Sequence, residues 1–244
     1  MPALHDRINP VSSSTAETAP KPKLTNDAPS PGLIKFCKFW LRPLFKILWR
    51  LEYHNLENIP HDRPGGLVVA SNHQTYIDPF WIGVPINRPL RFLAWDKACK
   101  WFIIGPLIRK LGAFPVNLDR GGKDSYKTAI RVLKEGHTLV IFPEGSRETA
   151  EGKLLPVKQG TVRIALEAGV SILPVTIRGG NRVWPQQQTL PRFSKVHITY
   201  HPLLEVNRPE GMESRAYAAV LTEELGKIID PDPDPVSSAT DASV

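Results

Sequence analysis

A histidine and an aspartate stand five residues apart in SNHQTYIDPF (71–80), at His73 and Asp78. Of all the side chains here, this pair is the best suited to moving a proton. An unperturbed imidazole titrates at about 6.5, so His73 can serve as a general base. A carboxylate on its other ring nitrogen would fix the tautomer and stabilise the imidazolium. The spacing is not that of one helix face, where partners sit three or four residues apart. Five residues turn a helix by roughly 500°, and Pro79 biases Asp78 away from helical backbone. If the two groups meet, they meet across a turn that opens a helix. Asp78 suits a helix N-cap equally well, with Pro79 at the first helical position, and its two oxygens allow both tasks at once. His73 also suits the simpler role of a hydrogen-bonded structural histidine.

No protein nucleophile accompanies the pair. Ser146 in PEGSRE lacks the G-x-S-x-G elbow. Neither Cys37 nor Cys99 lies near a histidine in sequence, and no third His or Cys stands at metal-ligand spacing. A phosphate-cradling G-x-x-x-x-G-K-[ST] loop is absent too. A base without a nucleophile implies that the substrate's own hydroxyl is activated, in a direct transfer to an alcohol. Arg147 and Arg120, the latter closing GAFPVNLDR (112–120), have the planar guanidinium that pairs with phosphate oxygens. Lys158 in LPVKQG precedes an expected helix start, where it is either a third phosphate ligand or a solvated surface charge.

Stepping outward from these residues, short apolar runs alternate with helical patterns from residue 65 on. GLVVA (66–70), LRFLAW (90–95), HTLVIF (137–142), SILPVTI (171–177) and VHITYHPL (196–203) read as strands. WFIIGPLIRKLG (101–112), DSYKTAIRVLKEG (124–136), TVRIALEAG (161–169) and SRAYAAVLTEELGKII (214–229) read as helices, three of them ending at a glycine suited to a C-cap: Gly112, Gly136 and Gly169. The alternation predicts an α/β fold, a mostly parallel sheet flanked by helices. Ligands of such sheets bind beyond the carboxyl ends of the strands. Two strands end there in polar clusters, Ser71-Asn72-His73 and Pro143-Glu144-Gly145-Ser146-Arg147. If those strands are parallel neighbours, His73, Asp78, Glu144 and Arg147 share one cleft. Backbone N–H groups around Gly145 are then the natural donors to an oxyanion. Residues 101–108 and Phe80-Trp81-Ile82 could line an apolar slot or simply pack in a core.

The 244 residues allow one large domain, residues 55–229, between two tails expected to be disordered: a Ser/Thr/Pro/Ala-rich segment at 1–30 and an acidic one at 230–244. Residues 31–54 differ. Lys35, Lys38, Arg42, Lys46 and Arg50 form one helical stripe, while Leu33, Phe36, Trp40, Leu44, Ile47, Leu48 and Leu51 fill the other side. Each cation costs ~2.5–3.5 kcal/mol at the centre of a spanning helix. The segment therefore reads as an amphipathic helical segment lying in a membrane interface, with Pro43 expected to break it in two. A core-packing helix with a solvated basic face is the plainer alternative. The net charge of +7 calls for an anionic partner, a phospholipid surface or a phosphorylated substrate, ahead of nucleic acid, for which no helix-turn-helix or zinc pattern exists. Two distant cysteines make no disulfide framework.

Four stretches taken together resemble the glycerolipid acyltransferase family: NHQTYID (72–78) its N-H-x-x-x-x-D motif, GAFPVNLDR (112–120) its second block, FPEGSR (142–147) its third and ILPVTIRG (172–179) its fourth, all in family order. The resemblance covers roughly 31–210. It implies transfer of a fatty acyl group, from acyl-CoA or acyl-carrier protein, to the sn-2 hydroxyl of 1-acyl-sn-glycerol 3-phosphate (lysophosphatidic acid), without metal or acyl-enzyme. The product is phosphatidic acid; the alternative is an acyltransferase of the same family acting on another acceptor, glycerol 3-phosphate, a lyso-ornithine lipid or another lysolipid. By the same resemblance His73 is the base and Asp78 its orienter, Arg120 holds the acceptor phosphate, Glu144 and Gly145 position the glycerol, and Arg147 assists. VKQG (157–160) stands where many members carry a second basic residue after Lys158. The implied location is peripheral or monotopic on the cytoplasmic face of the membrane, with no nucleic-acid partner. A lipid-surface binding protein without catalysis and a thioester hydrolase are the rival readings.

Overall fold

A computed structural model describes residues 30–95, 102, 104–116, 123–147, 152–185, 188 and 190–231. Among them, seven strands form one sheet in the order β1-β7-β6-β2-β5-β3-β4. They are β1 (Glu52–His54), β2 (Leu67–Ser71), β3 (Leu90–Trp95), β4 (Ala113–Val116), β5 (Thr138–Ile141), β6 (Ile172–Arg178) and β7 (His197–Tyr200). All neighbours are parallel except β6 and β7, which pair antiparallel. The helices are α1 (Pro31–Trp49), α2 (Asp78–Gly83), α3 (Ile104–Lys110), α4 (Lys123–Lys134), α5 (Gly160–Ala168), α6 (Gly180–Val183) and α7 (Ser214–Ile229). Residues beyond the sequence-expected strands also pair: β1 and β4 cap the two edges of the sheet.

Helices cover both faces of the sheet, which explains the unbroken apolar strands. Along β2, Leu67 and Val69 join the core under α1 and α2, while Val68 and Ala70 join the core under α4, α5 and α7. The register sets β2 and β5 side by side, with Ala70 opposite Ile141, so the two polar strand ends lie next to each other as expected.

The amphipathic segment departs from its expected form. Helix α1 runs unbroken through Pro43, and residues 52–54 form the edge strand β1. An interior proline costs a helix about 3 kcal/mol in isolation. Here Leu41 before it and Phe45, Leu48 and Trp49 after it all pack on one core, so tertiary contacts hold both halves in line. Trp49 meets Trp81 edge-on, with centroids 5.3 Å apart. The apolar side of α1 is thereby split. One arc faces the core, and a second, Phe36, Phe39, Trp40, Leu44 and Ile47, lies exposed. Lys38 leaves the basic stripe and donates to the Ile86 carbonyl. Burial lowers the pKa of that ammonium.

Helix α2 carries Asp78 and is only six residues long, too short to hold itself in place. Two tyrosines fix its far end: Tyr53 on β1 donates to the Trp81 carbonyl at 2.9 Å, and Tyr200 on β7 donates to the Ile82 carbonyl at 2.7 Å. Burial raises both phenol pKa values, keeping them protonated as donors. Tyr200 is fully buried. Tyr200→Phe is expected to destabilise the protein by about 1–3 kcal/mol, because the Ile82 carbonyl is left unsatisfied. Denaturant melts monitored by circular dichroism would measure it.

Candidate functional site

The site begins where β2 runs out. Past Ser71 the ladder to β6 continues through a side chain: the Asn72 amide donates to the Ile177 carbonyl at 2.9 Å and accepts from the Ile177 N–H at 2.7 Å. That pair of bonds fixes where the chain turns away from the sheet and aims His73 across the strand ends.

His73 and Asp78 do meet, with Nδ1 and Oδ2 2.8 Å apart. An ionised carboxylate only accepts, so Nδ1–H is the donor, and in the neutral ring Nε2 then carries the lone pair. The carboxylate is fully buried and the imidazole partly exposed. The same Oδ2 accepts the backbone N–H of Gln74 at 2.6 Å and of Thr75 at 2.8 Å, and Oδ1 accepts the Thr75 hydroxyl at 2.6 Å. Asp78 is thus no N-cap. Its side chain reaches backward into the turn at 73–75 rather than forward over α2, whose start has no side-chain cap. The turn and the histidine share one anchor. The Phe142 ring, at the end of β5, stacks on the imidazole at 3.9 Å and 15°, shielding one face of the base from water.

The neighbouring strand end contributes the remaining groups. Glu144 is buried; it accepts the His73 backbone N–H at 2.6 Å through Oε1 and the Leu155 N–H at 2.8 Å through Oε2. Its two oxygens therefore tie the His73 turn to the 152–158 segment. Gly145 has φ +74°, a left-handed conformation that favours glycine. A Cβ there would stand 2.7 Å from the Lys158 ammonium, so Lys158 reaches this turn from its own segment. The Gly145 N–H is already donated to the Phe142 carbonyl at 3.0 Å, which removes it from the expected set of oxyanion donors. The Arg147 guanidinium lies 3.4 Å above the Tyr76 ring. Tyr76 in turn meets Trp184 edge-on at 5.6 Å, closing a cationic and aromatic rim beside His73.

Arg120 lies outside the described residues. The strand before it, β4, is parallel to β3, β5 and β2, so its carboxyl end points to the same side of the sheet as His73. Trp81 and Ile82 are fully buried core and line no slot. Phe80 does border an apolar groove, with Pro79, Cys37, Leu41, Phe92 and Leu111, between α1 and α2. In 101–108, Phe102 is exposed, and residues 101 and 103 are outside the described set.

Sequence reasoning missed Phe142, Tyr76, Thr75, Asn72 and Trp184. The first four sit inside or beside the quoted motifs, so proximity to His73 and Glu144 was their only signal; Trp184 had none. Among the described residues, Glu52, His54 and His197 gather metal-type donors within 4.8 Å of one another on the β1–β7 edge. The ring centroids of the two histidines are 5.4 Å apart at 20°, and the nitrogens are 3.1 Å apart. The nitrogen–nitrogen distance is that of an N–H···N hydrogen bond between the two rings.

The chain is similar to known proteins in sequence and in fold. The Acyltransferase family model matches residues 50–178. A 1-acyl-sn-glycerol-3-phosphate acyltransferase of Bacillus subtilis is 32% identical over 148 residues, 60% of this chain and 72% of that protein. One from Borreliella burgdorferi is 27% identical over 173 residues, 70% and 68% of the two chains. The crystal structure of the 1-acyl-sn-glycerophosphate (LPA) acyltransferase PlsC from Thermotoga maritima superposes with a TM-score of 0.65 at 27% identity, covering 80% of this chain and 77% of that one.

Proposed function

The chain belongs to the acyltransferase family and is an O-acyltransferase, and on that premise we propose that it acylates the sn-2 hydroxyl of lysophosphatidic acid to give phosphatidic acid. The observation that carries the mechanism is the 2.8 Å bond from His73 Nδ1–H to Asp78, which leaves Nε2 as the base. The acceptor hydroxyl donates to Nε2. As its oxygen attacks the thioester carbonyl of acyl-CoA or acyl-carrier protein, the proton passes to Nε2, and Asp78 stabilises the imidazolium. The tetrahedral intermediate collapses with cleavage of the carbon–sulfur bond. The imidazolium returns its proton to the departing thiolate, and ester and thiol leave. Base catalysis of this kind contributes about 10²–10⁴-fold.

The other groups divide the work. Glu144 acts through backbone, holding His73 and the 152–158 segment together. Arg120 binds the acceptor phosphate, with Arg147 and Lys158 supplying further positive charge at the rim. The groove between α1 and α2, lined by Leu41, Pro79, Phe80 and Phe92, suits a fatty acyl chain. Among the described residues no helix is long and apolar enough to cross a membrane. The exposed apolar arc of α1, flanked by Lys35, Arg42, Lys46 and Arg50, suits a monotopic seat on the cytoplasmic leaflet, with anionic phospholipid as its partner.

The test is purified protein with radiolabelled acyl-CoA or acyl-carrier protein and a panel of acceptors, scored for new lipid. Phosphatidic acid formed from lysophosphatidic acid is the expected product. Free fatty acid released at the same rate without acceptor would make the protein a hydrolase and overturn the reading. Arg120→Ala in the same assay is expected to raise the KM for lysophosphatidic acid about 10- to 100-fold, the worth of one charge-assisted hydrogen-bonded contact, with a smaller effect on kcat. An unchanged KM would remove Arg120 from the phosphate site.

A further inference from the structure

The loop between α6 and β7 holds two of the most exposed large apolar side chains among the described residues, Leu190 at 74% and Phe193 at 80%. Such tips on a loose loop would mean little. This loop is braced at both ends. At one end Trp184 rests edge-on against Tyr76 at the active-site rim, and its indole N–H donates to the Gln188 carbonyl at 2.9 Å. At the other, the Arg192 N–H donates to the Val183 carbonyl at 2.7 Å, and the Val196 N–H to the Trp49 carbonyl at 3.1 Å. The Trp49 indole, at the C-terminal end of α1, donates to the Arg192 carbonyl at 3.0 Å. The backbone is therefore held while the two side chains stand in water, joining the end of the interfacial helix to the mouth of the active site.

The charge carried by the segment itself has one sign. Residues 179–204 contain no Asp or Glu, and they carry Arg182, Arg192 and Lys195, all exposed. Lys195 also reaches Glu52 at 2.9 Å. Apolar tips among cations match the acyl boundary and anionic headgroups of a phospholipid surface. The loop is also continuous with the exposed aromatic arc and basic stripe of α1 through the Trp49–Arg192 bond.

We propose that the Leu190–Lys195 loop is a second membrane-contact element, which inserts Leu190 and Phe193 into an anionic bilayer and holds the active-site mouth against it. A lysolipid acceptor then reaches His73 without passing through water. The inference rests on the interfacial reading of α1, and the experiment separates the two. The full chain, a Leu190→Ser/Phe193→Ser variant and a Phe39→Ser/Ile47→Ser variant are sedimented with phosphatidylglycerol–phosphatidylcholine vesicles and with phosphatidylcholine vesicles. Turnover is measured on vesicle-embedded lysophosphatidic acid and on a short-chain acceptor soluble as monomer. The loop variant is expected to lose about 10-fold in affinity for the anionic vesicles. Its KM for the embedded acceptor rises correspondingly, with kcat on the soluble acceptor unchanged. Wild-type binding by the loop variant, with loss only in the α1 variant, would overturn the loop and leave α1 standing. If the full chain ignores both vesicles, both readings fall. Equal loss of turnover on the soluble acceptor would make the loop a scaffold for the site and overturn its role as a lipid contact.

Discussion

His73→Ala is expected to lower acyl transfer by about 10²–10⁴-fold while leaving the fold and vesicle binding intact. The size follows from the one task proposed for the ring. A lipid hydroxyl is a poor nucleophile until its proton has somewhere to go, and His73 Nε2 is the lone pair that the tautomer fixed by Asp78 leaves available. The fold survives because the ring sits at the site's surface. It stacks on Phe142, and the turn that carries it is held by backbone bonds to Glu144 and Asp78 that alanine keeps. The measurement is kcat at saturating acceptor, beside a thermal melt and vesicle sedimentation of the same preparation. Activity above about a tenth of wild type would exclude general-base assistance of the expected size.

The fold was legible because the central strands are buried on both faces and must be continuously apolar. LRFLAW matches β3 to the residue, and GLVVA and SILPVTI are displaced by one. The edges were not legible for the converse reason. β1 is three residues with no apolar alternation, and β4 contains Pro115, which an edge strand tolerates. Helix α1 kept its periodicity in the sequence, but the composition could not say which apolar arc meets the core. That division, with Phe45 and Trp49 inward and Phe39 and Ile47 outward, depends on the partner surface. At the site, residue types announced that His73 and Glu144 belong together. They could not reveal that Glu144 grips backbone amides or that the Gly145 N–H is spent inside its own turn. A carboxylate near a glycine reads the same whether its oxygens face a ligand or the chain; only the direction of the side chain distinguishes them.

Asp78 is where that ambiguity was sharpest, and its substitution has the second large effect. Asp78→Asn keeps the shape of a side chain that accepts four hydrogen bonds, three at Oδ2 and one at Oδ1. If the amide oxygen stays at the Oδ2 position, His73 keeps its tautomer, but no negative charge faces the imidazolium as it forms. The amide NH₂ then points at the Thr75 hydroxyl, which already accepts from the Ile77 N–H at 3.0 Å, so the hydroxyl hydrogen loses its acceptor. If the amide flips, its NH₂ donates to Nδ1, and the tautomer that results puts the hydrogen on Nε2, where it blocks the base. Either arrangement lowers kcat, by about 10²–10⁴-fold, with KM for both substrates nearly unchanged, because Asp78 is fully buried and touches neither. A stability loss of about 1–3 kcal/mol accompanies it from the unsatisfied group. The split between kcat and KM, read beside a melt, separates the two jobs of this residue. An Asp78→Asn enzyme with a lowered melting temperature and wild-type kcat would show a carboxylate that only ties a turn, its charge playing no part in the proton transfer.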